Sequence, residues 1–192
     1  MVFNKFLNKN RLYGRIMFAI LCTFYQVSSA SCHAWGWMCD IGYGLKMAES
    51  QGLNGVMISG YAYHLSTPLH WPTGYSSGVN ELALGAGYSR TYYNPKYNSE
   101  YSLIILGFAD SFWKPEIHIG YTYQKYFNFG ESNWKWGIGY APFIFIKPSL
   151  TADAPIPLPG AGISTSIQYK HFTLMLTYAN QLYLNARIDF PR

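Results

Sequence analysis

From Val56 to the C-terminus the chain alternates apolar and polar residues with a period of two, and turn-forming residues interrupt the alternation at intervals. The last segment, LYLNARIDF, shows it best. Leu182, Leu184, Ala186, Ile188 and Phe190 share one face, while Tyr183, Asn185, Arg187 and Asp189 share the other. HFTLMLTY and NWKWGIGYA follow the same rule. Such runs predict eight strands, over about 55–64, 81–90, 100–110, 116–126, 133–142, 160–169, 171–178 and 182–190. Eight strands are the smallest usual closed antiparallel barrel, and closure removes both free edges.

Which way the apolar face points decides the class of barrel. In water it faces a core; in a bilayer it faces lipid and the polar residues fill the lumen. Several runs approach the roughly 9–11 residues of a tilted membrane strand, and Tyr and Trp gather near strand ends, as at a membrane interface. The last strand, with Phe190 close to the C-terminus, favours an all-β, eight-stranded antiparallel transmembrane barrel over a soluble lipocalin-like one. A pore is disfavoured, because eight strands leave almost no open lumen. Ahead of the first strand, WGWMCDIGYGLKMAES mixes apolar and polar residues and predicts a short N-terminal amphipathic helix at the membrane interface. TADAPIPLPGAG, at 151–162, reads as a loop entering a strand whose first residues lack ladder donors.

Composition agrees with this picture and narrows it. Aromatic residues make up 19% of the 192-residue chain and charged residues only 12%, which suits a single aromatic-rich β domain. The net charge of +5 invites a nucleic-acid reading, but its distribution argues against one. Lys5, Lys9, Arg11 and Arg15 precede the first acid, Asp40, and beyond them ten basic residues face nine acidic ones. The basic start, the apolar run at 16–24 and the small residues of QVSSA form a secretory signal peptide over 1–30, cleaved after Ala30 or after Ala34. Its apolar run is about half the roughly 20 residues of a spanning helix. The chain therefore divides into a signal peptide (1–30), an N-terminal segment (31–54) and a barrel (55–192), exported to the cell outer membrane. Cys22 leaves with the leader; Cys32 and Cys39 are structural at most, free to pair in an oxidising compartment if both are retained.

Topology brings chemistry to one rim. A first strand rising from the periplasmic side ends at His64, and the third strand, rising the same way, ends at Asp110 and Ser111. An imidazole can take a proton from a hydroxyl, and a carboxylate can fix the imidazole's tautomer. That combination suits acyl transfer, although His, Asp and Ser are also ordinary loop residues. Strict alternation turns Ile104, Leu106 and Phe108 inward with Asp110, and Ile58, Gly60 and Ala62 inward with His64. An apolar upper lumen could hold a hydrocarbon chain, or simply be packed with side chains. Neighbouring Asp110 and Ser111 reach the same lumen only if the strand bends there.

YHL followed by LGAGYSR, then GFADSFWKPEIHIGYTY, then PIPLPGAGISTSIQYKHFTLMLTY with YLNARIDF, resemble in order and spacing the outer-membrane lipid A palmitoyltransferases of the PagP family, over about residues 56–190. The resemblance implies an eight-stranded barrel preceded by an amphipathic helix, whose interior measures a palmitoyl chain taken from a phospholipid donor and placed on a lipid A acceptor. It implies no metal and no soluble cofactor. It carries the family's histidine onto His64, after Tyr63, and its Asp-Ser pair onto Asp110 and Ser111; His70 does not match in position. Either Ser111 is the nucleophile, with His64 as base and Asp110 as orienter, or His64 activates the acceptor hydroxyl directly.

Two departures from the family stand out. Thr122 follows Gly120-Tyr121 where the family has a glycine at the floor of the substrate-binding ruler, which raises the floor and implies a chain shorter than palmitate. YKHF stands where the family has Gly-Pro before the seventh strand and a lateral gap; Pro155, Pro157 and Pro159 would keep the opposite gap free of ladder hydrogen bonds. Rival readings are a structural or adhesive barrel without activity and a phospholipase or deacylase using water. Monomer and homodimer both remain open.

Overall fold

The computed structural model describes residues 36–64, 81–147 and 157–191, with side chains from residue 41 onward. The signal peptide and its cleavage sites, the Cys32 and Cys39 side chains, His70 and Pro155 lie outside the described residues. Two compact units divide the chain at Lys46 and Met47. Helix α1 spans Gly36–Gln51. Its last carbonyls are closed within the second unit: Ala48 O accepts from Gly52 N at 3.0 Å and from Arg90 Nε at 2.9 Å. A Cβ on Gly52 would stand 2.2 Å from Ala48 O, so glycine is what lets the helix turn directly into a strand.

Eight strands then follow: β1 (Leu53–Tyr63), β2 (Gly85–Asn94), β3 (Ser99–Ala109), β4 (Pro115–Asn128), β5 (Trp134–Ile146), β6 (Pro157–Tyr169), β7 (Phe172–Tyr178) and β8 (Leu182–Asp189). Each pairs antiparallel with its sequence neighbours, and β1 closes the sheet against β8. The expected eight-stranded barrel is the observed one, and in three strands a boundary differs by more than two residues. β2 begins four residues later than 81 and runs on to Asn94. Residues 81–84 keep the alternation, with Leu82 and Leu84 exposed and Ala83 buried, but they form no strand. Alternation reports which way a side chain points, whereas a strand also needs a continuous ladder; here Glu81 O and Leu84 O accept isolated bonds from Ala62 N at 2.8 Å and Ala109 N at 3.1 Å. β5 and β6 each extend into residues read as loop, through thirteen pairs from Trp134↔Tyr169 to Ile146↔Pro157.

The prolines leave the β5 side of β6 paired. Pro157 and Pro159 stay in register with Ile146 and Ile144. The edge of residues 157–162 that lacks a paired strand faces β7, whose pairing with β6 starts only at Ile163. A proline's missing N–H costs least along such an edge. A second break lies across the barrel, where β1 pairs with β2 only up to Ser59↔Gly85.

The barrel is built inside out. Ile58, Ile105, Ile119, Ile163, Ile167 and Leu174 are exposed on its wall, while Ser59, Ser102, Thr122, Ser164, Ser166 and Asn185 are buried within. Water would penalise that arrangement; hydrocarbon favours it. Trp134, Trp136, Phe127, Phe129, Tyr97 and Phe172 are exposed around the end where β1 begins and β8 ends, the lower rim. Tyr61, Tyr63, Trp113 and Tyr178 are exposed near the other, upper rim. Two aromatic belts at the ends of an apolar band match a bilayer's two interfaces.

Inside, the lumen changes character with height. Its lower half centres on Arg187, which contacts Glu100 Oε2 (2.7 Å), Asp189 Oδ2 (3.1 Å), Ser102 Oγ (2.9 Å) and Thr173 Oγ1 (3.3 Å). Gln168 donates to the same Glu100 carboxylate at 3.3 Å. Above this, Met57, Ala62, Leu106, Phe108 and Met175 form the apolar core. Arg187→Met leaves two buried carboxylates without their cation and should lower stability by about 3–5 kcal/mol. Adding Glu100→Gln and Asp189→Asn should recover most of the loss. Urea unfolding from lipid vesicles measures both, and an unchanged midpoint in the single variant would show that the ion cluster is not what holds the lower lumen.

Candidate active site

At the top of β1 the strict alternation fails, and the failure shapes the site. The register against β8 shifts between Ser59 and Tyr61, a β-bulge that inserts one extra residue. Below it Met57 and Ser59 face inward; above it Ala62 does. Ile58, expected in the lumen, is 50% exposed on the wall, and Gly60 sits in the bulge itself. Leu106, Phe108 and Ile104 point inward as read, because β3 runs without a break against β4.

β3 ends at Ala109, so Asp110 and Ser111 lie in a turn rather than on a strand. That is why both neighbours are buried, at 2% and 8% exposure. The turn is wound around the Asp110 carboxylate. Its Oδ1 accepts from Phe112 N and Lys114 N, both at 2.8 Å, while Asp110 O accepts from Trp113 N at 3.0 Å. Trp113 adopts φ 61°, left-handed backbone that reverses the chain. The wound turn brings Ser111 Oγ to 3.0 Å from His64 Nε2. The Asp110 bonds wind the turn that presents Ser111.

Three residues that the sequence reading passed over complete the rim. Lys147, just past the end of β5, is 2.9 Å from Glu116 Oε2 and 4.0 Å from Asp110 Oδ2. The other oxygen of Glu116 lies 2.7 Å from His118 Nε2. The His118 ring stacks on Phe143 at 4.7 Å and meets Phe108 edge-on at 4.8 Å. Glu116 and His118 stood in the quoted KPEIHIGY with the same parity as Asp110, which was the available signal.

Beneath this polar rim lies a largely apolar cavity. Leu106, Phe108, His118, Thr122, Met175 and Thr177 are among the residues that line it. Thr122 therefore reaches the cavity wall. Gly120 acts from behind: a Cβ there would stand 2.7 Å from Phe143 Cβ and 2.8 Å from Pro142 O, displacing a wall residue. Among the described residues no cluster of His, Cys, Asp and Glu has metal-site geometry.

Residues 44–191 match the family described as "Antimicrobial peptide resistance and lipid A acylation protein PagP". The chain is similar to a lipid A acyltransferase PagP of Legionella longbeachae serogroup 1, at 28% identity over 155 residues covering 77% of this chain and 65% of that protein. It is 34% identical to a lipid A acyltransferase PagP of Yersinia enterocolitica serotype O:8 over 112 residues, 58% of this chain and 53% of that protein. It thus spans between about half and two thirds of the length of these relatives. Among solved structures, Neisserial surface protein A (NspA) aligns at 12% identity with a TM-score of 0.41, over 72% of this chain and 96% of that one.

Burial lowers the proton affinity of His64 below the ordinary 6.5, and the Lys147 charge lowers it further, against an opposing pull from Glu81. The imidazole is therefore neutral, and able to accept a proton, at neutral pH; it charges only as pH falls through its depressed midpoint. An NMR titration of His64 in the micelle-bound barrel should place that midpoint below 6.5. A midpoint at or above that value would contradict the assignment.

Proposed function

This chain belongs to the PagP family, and from that premise we propose that it is an outer-membrane acyltransferase that moves a fatty acyl chain from a phospholipid to lipid A. The observation that carries the reading is the 3.0 Å contact between Ser111 Oγ and His64 Nε2 above an apolar cavity closed below by polar packing. The acyl chain lies in the cavity with its ester at the rim. His64, neutral at physiological pH, removes the proton from the attacking hydroxyl as that oxygen bonds to the ester carbonyl carbon. The imidazolium then returns the proton to the departing glycerol oxygen, releasing lysophospholipid.

If the attacking oxygen is Ser111 Oγ, the acyl group rests on the enzyme and a second round delivers it to a lipid A hydroxyl. If it is the lipid A hydroxyl itself, Ser111 orients the base and transfer takes one step. Hydroxylamine release of a Ser111-bound acyl group distinguishes the two. The catalytic assignment is His64, Asp110 and Ser111, with Asp110 also winding the turn that carries Ser111.

The upper rim faces the outer leaflet, and the chain arrives there by export with a cleaved signal peptide. Above Ser59↔Gly85 the β1–β2 ladder is reduced to the bond from Ala62 N to Glu81 O, and above Ile163↔Tyr178 the β6–β7 ladder stops; these two interruptions would give lipids a sideways path from the bilayer into the cavity. Thr122 on the cavity wall narrows the ruler and favours a chain shorter than palmitate. No metal or soluble cofactor takes part in this scheme.

Mass spectrometry of lipid A from expressing cells tests the proposal. The wild type should add the mass of one acyl chain, His64→Ala should lower the rate by roughly 10²–10⁴-fold, and Thr122→Gly should shift the product toward longer chains. A folded wild type that leaves lipid A unmodified but releases free fatty acid would replace transfer with hydrolysis; neither product would leave a structural barrel. Palmitate strongly preferred by the wild type would refute the raised floor.

A further inference from the structure

A lysine ammonium with a side chain only 10% exposed is expensive to bury unless carboxylates surround it. Lys147 has two, and their places in the chain are informative. Asp110 opens the turn that carries Ser111, and Glu116 follows it at the start of β4. Lys147 comes from a different strand, β5, and its Nζ sits between both carboxylates, 4.0 Å from one and 2.9 Å from the other. Glu116 is itself braced by His118 at 2.7 Å, whose ring is packed into the aromatic wall of the cavity. The arrangement joins cavity wall, ammonium and Ser111 turn in one buried chain of charges.

We propose that Lys147, seated by Glu116, is a positioning residue of the acyl transfer: its ammonium ties together the two ends of the turn that presents Ser111 to His64. This deepens the acyltransferase reading and rests on it. Neutrality alone would be satisfied by Glu116; the reach toward Asp110 is what links the ammonium to the turn. The same positive charge also faces His64 and favours its uncharged, proton-accepting form. Lys147 itself faces Asp110 from the turn and Glu116 from β4, Glu116 faces His118, the His118 ring meets Tyr183 of β8, and Glu81 ahead of β2 acts on His64 against the lysine.

The test uses the full chain folded in detergent, with Lys147→Met, Lys147→Arg and Glu116→Gln, each checked for the heat-modifiable gel mobility of a closed barrel. Two readouts are taken: kcat and KM for a phospholipid donor across pH, and the NMR titration of His64, assigned with His64→Gln. Lys147→Met should lower kcat by roughly ten- to a hundredfold through misplacement of the turn. Its KM should stay within about twofold of wild type, the mark of an interaction that acts on the transition state. The His64 midpoint should rise, carrying the acid limb of the rate profile with it. Lys147→Arg keeps the charge and should retain the wild-type midpoint and most of kcat.

Wild-type kcat and midpoint in Lys147→Met would overturn the proposal. If that variant does not fold, Glu116→Gln decides: it should lower kcat severalfold at unchanged KM, and wild-type kinetics there would overturn the proposal equally. A wild type that moves no acyl chain fails the acyltransferase reading instead. In that case the His64 midpoint alone judges Lys147, and an unchanged midpoint rejects its role.

Discussion

Eight strands close around a lumen so narrow that inward side chains must pack against one another across it. The lower half meets this condition with charge and hydrogen bonds. Arg187 gathers Glu100, Asp189, Ser102 and Thr173, so a guanidinium far from water is matched on several of its donors. The upper half meets it with methyl groups and rings instead. The boundary between the two gives the cavity a floor. A blind apolar slot is the natural consequence of filling only the bottom of an inside-out barrel with polar residues.

The upper rim is where regular pairing stops, and each interruption serves the site. A bulge at Gly60 re-aims the end of β1. The tight winding of residues 110–114 around one carboxylate lets two sequence neighbours both turn into the protein. The end of β5 supplies Lys147. The regular β1–β2 and β6–β7 ladders also stop short of this rim, at Ser59↔Gly85 and Ile163↔Tyr178. Strands below hold the site rigid; irregular backbone above gives it reach and access.

Not all of this could be read along the chain. That His64, Asp110 and Ser111 lie on one rim was legible because strands that rise in the same direction must end on the same rim. Glu116 and His118 were nearly so, since they share Asp110's parity in a strand already quoted. Lys147 was hidden: it follows the apolar run FIFI at a strand end, where a lysine normally snorkels to water. Only the folded barrel shows that β5 delivers it to two carboxylates of the preceding hairpin. The position of Ile58 was misread for a different reason. A bulge changes parity without leaving any mark in the hydrophobic pattern.

The sequence by itself determined the strand count, the outward apolar face and the rim on which the chemistry gathers. These follow from period-two alternation and chain direction, which are local properties that accumulate along a chain. The tertiary structure decided where pairing begins and ends, which residues the bulge turns around, and how Lys147, Glu116 and His118 join the His64–Ser111 pair. Those depend on register between strands and on distances across a closed lumen. Such distances exist only once the first and last strands have met.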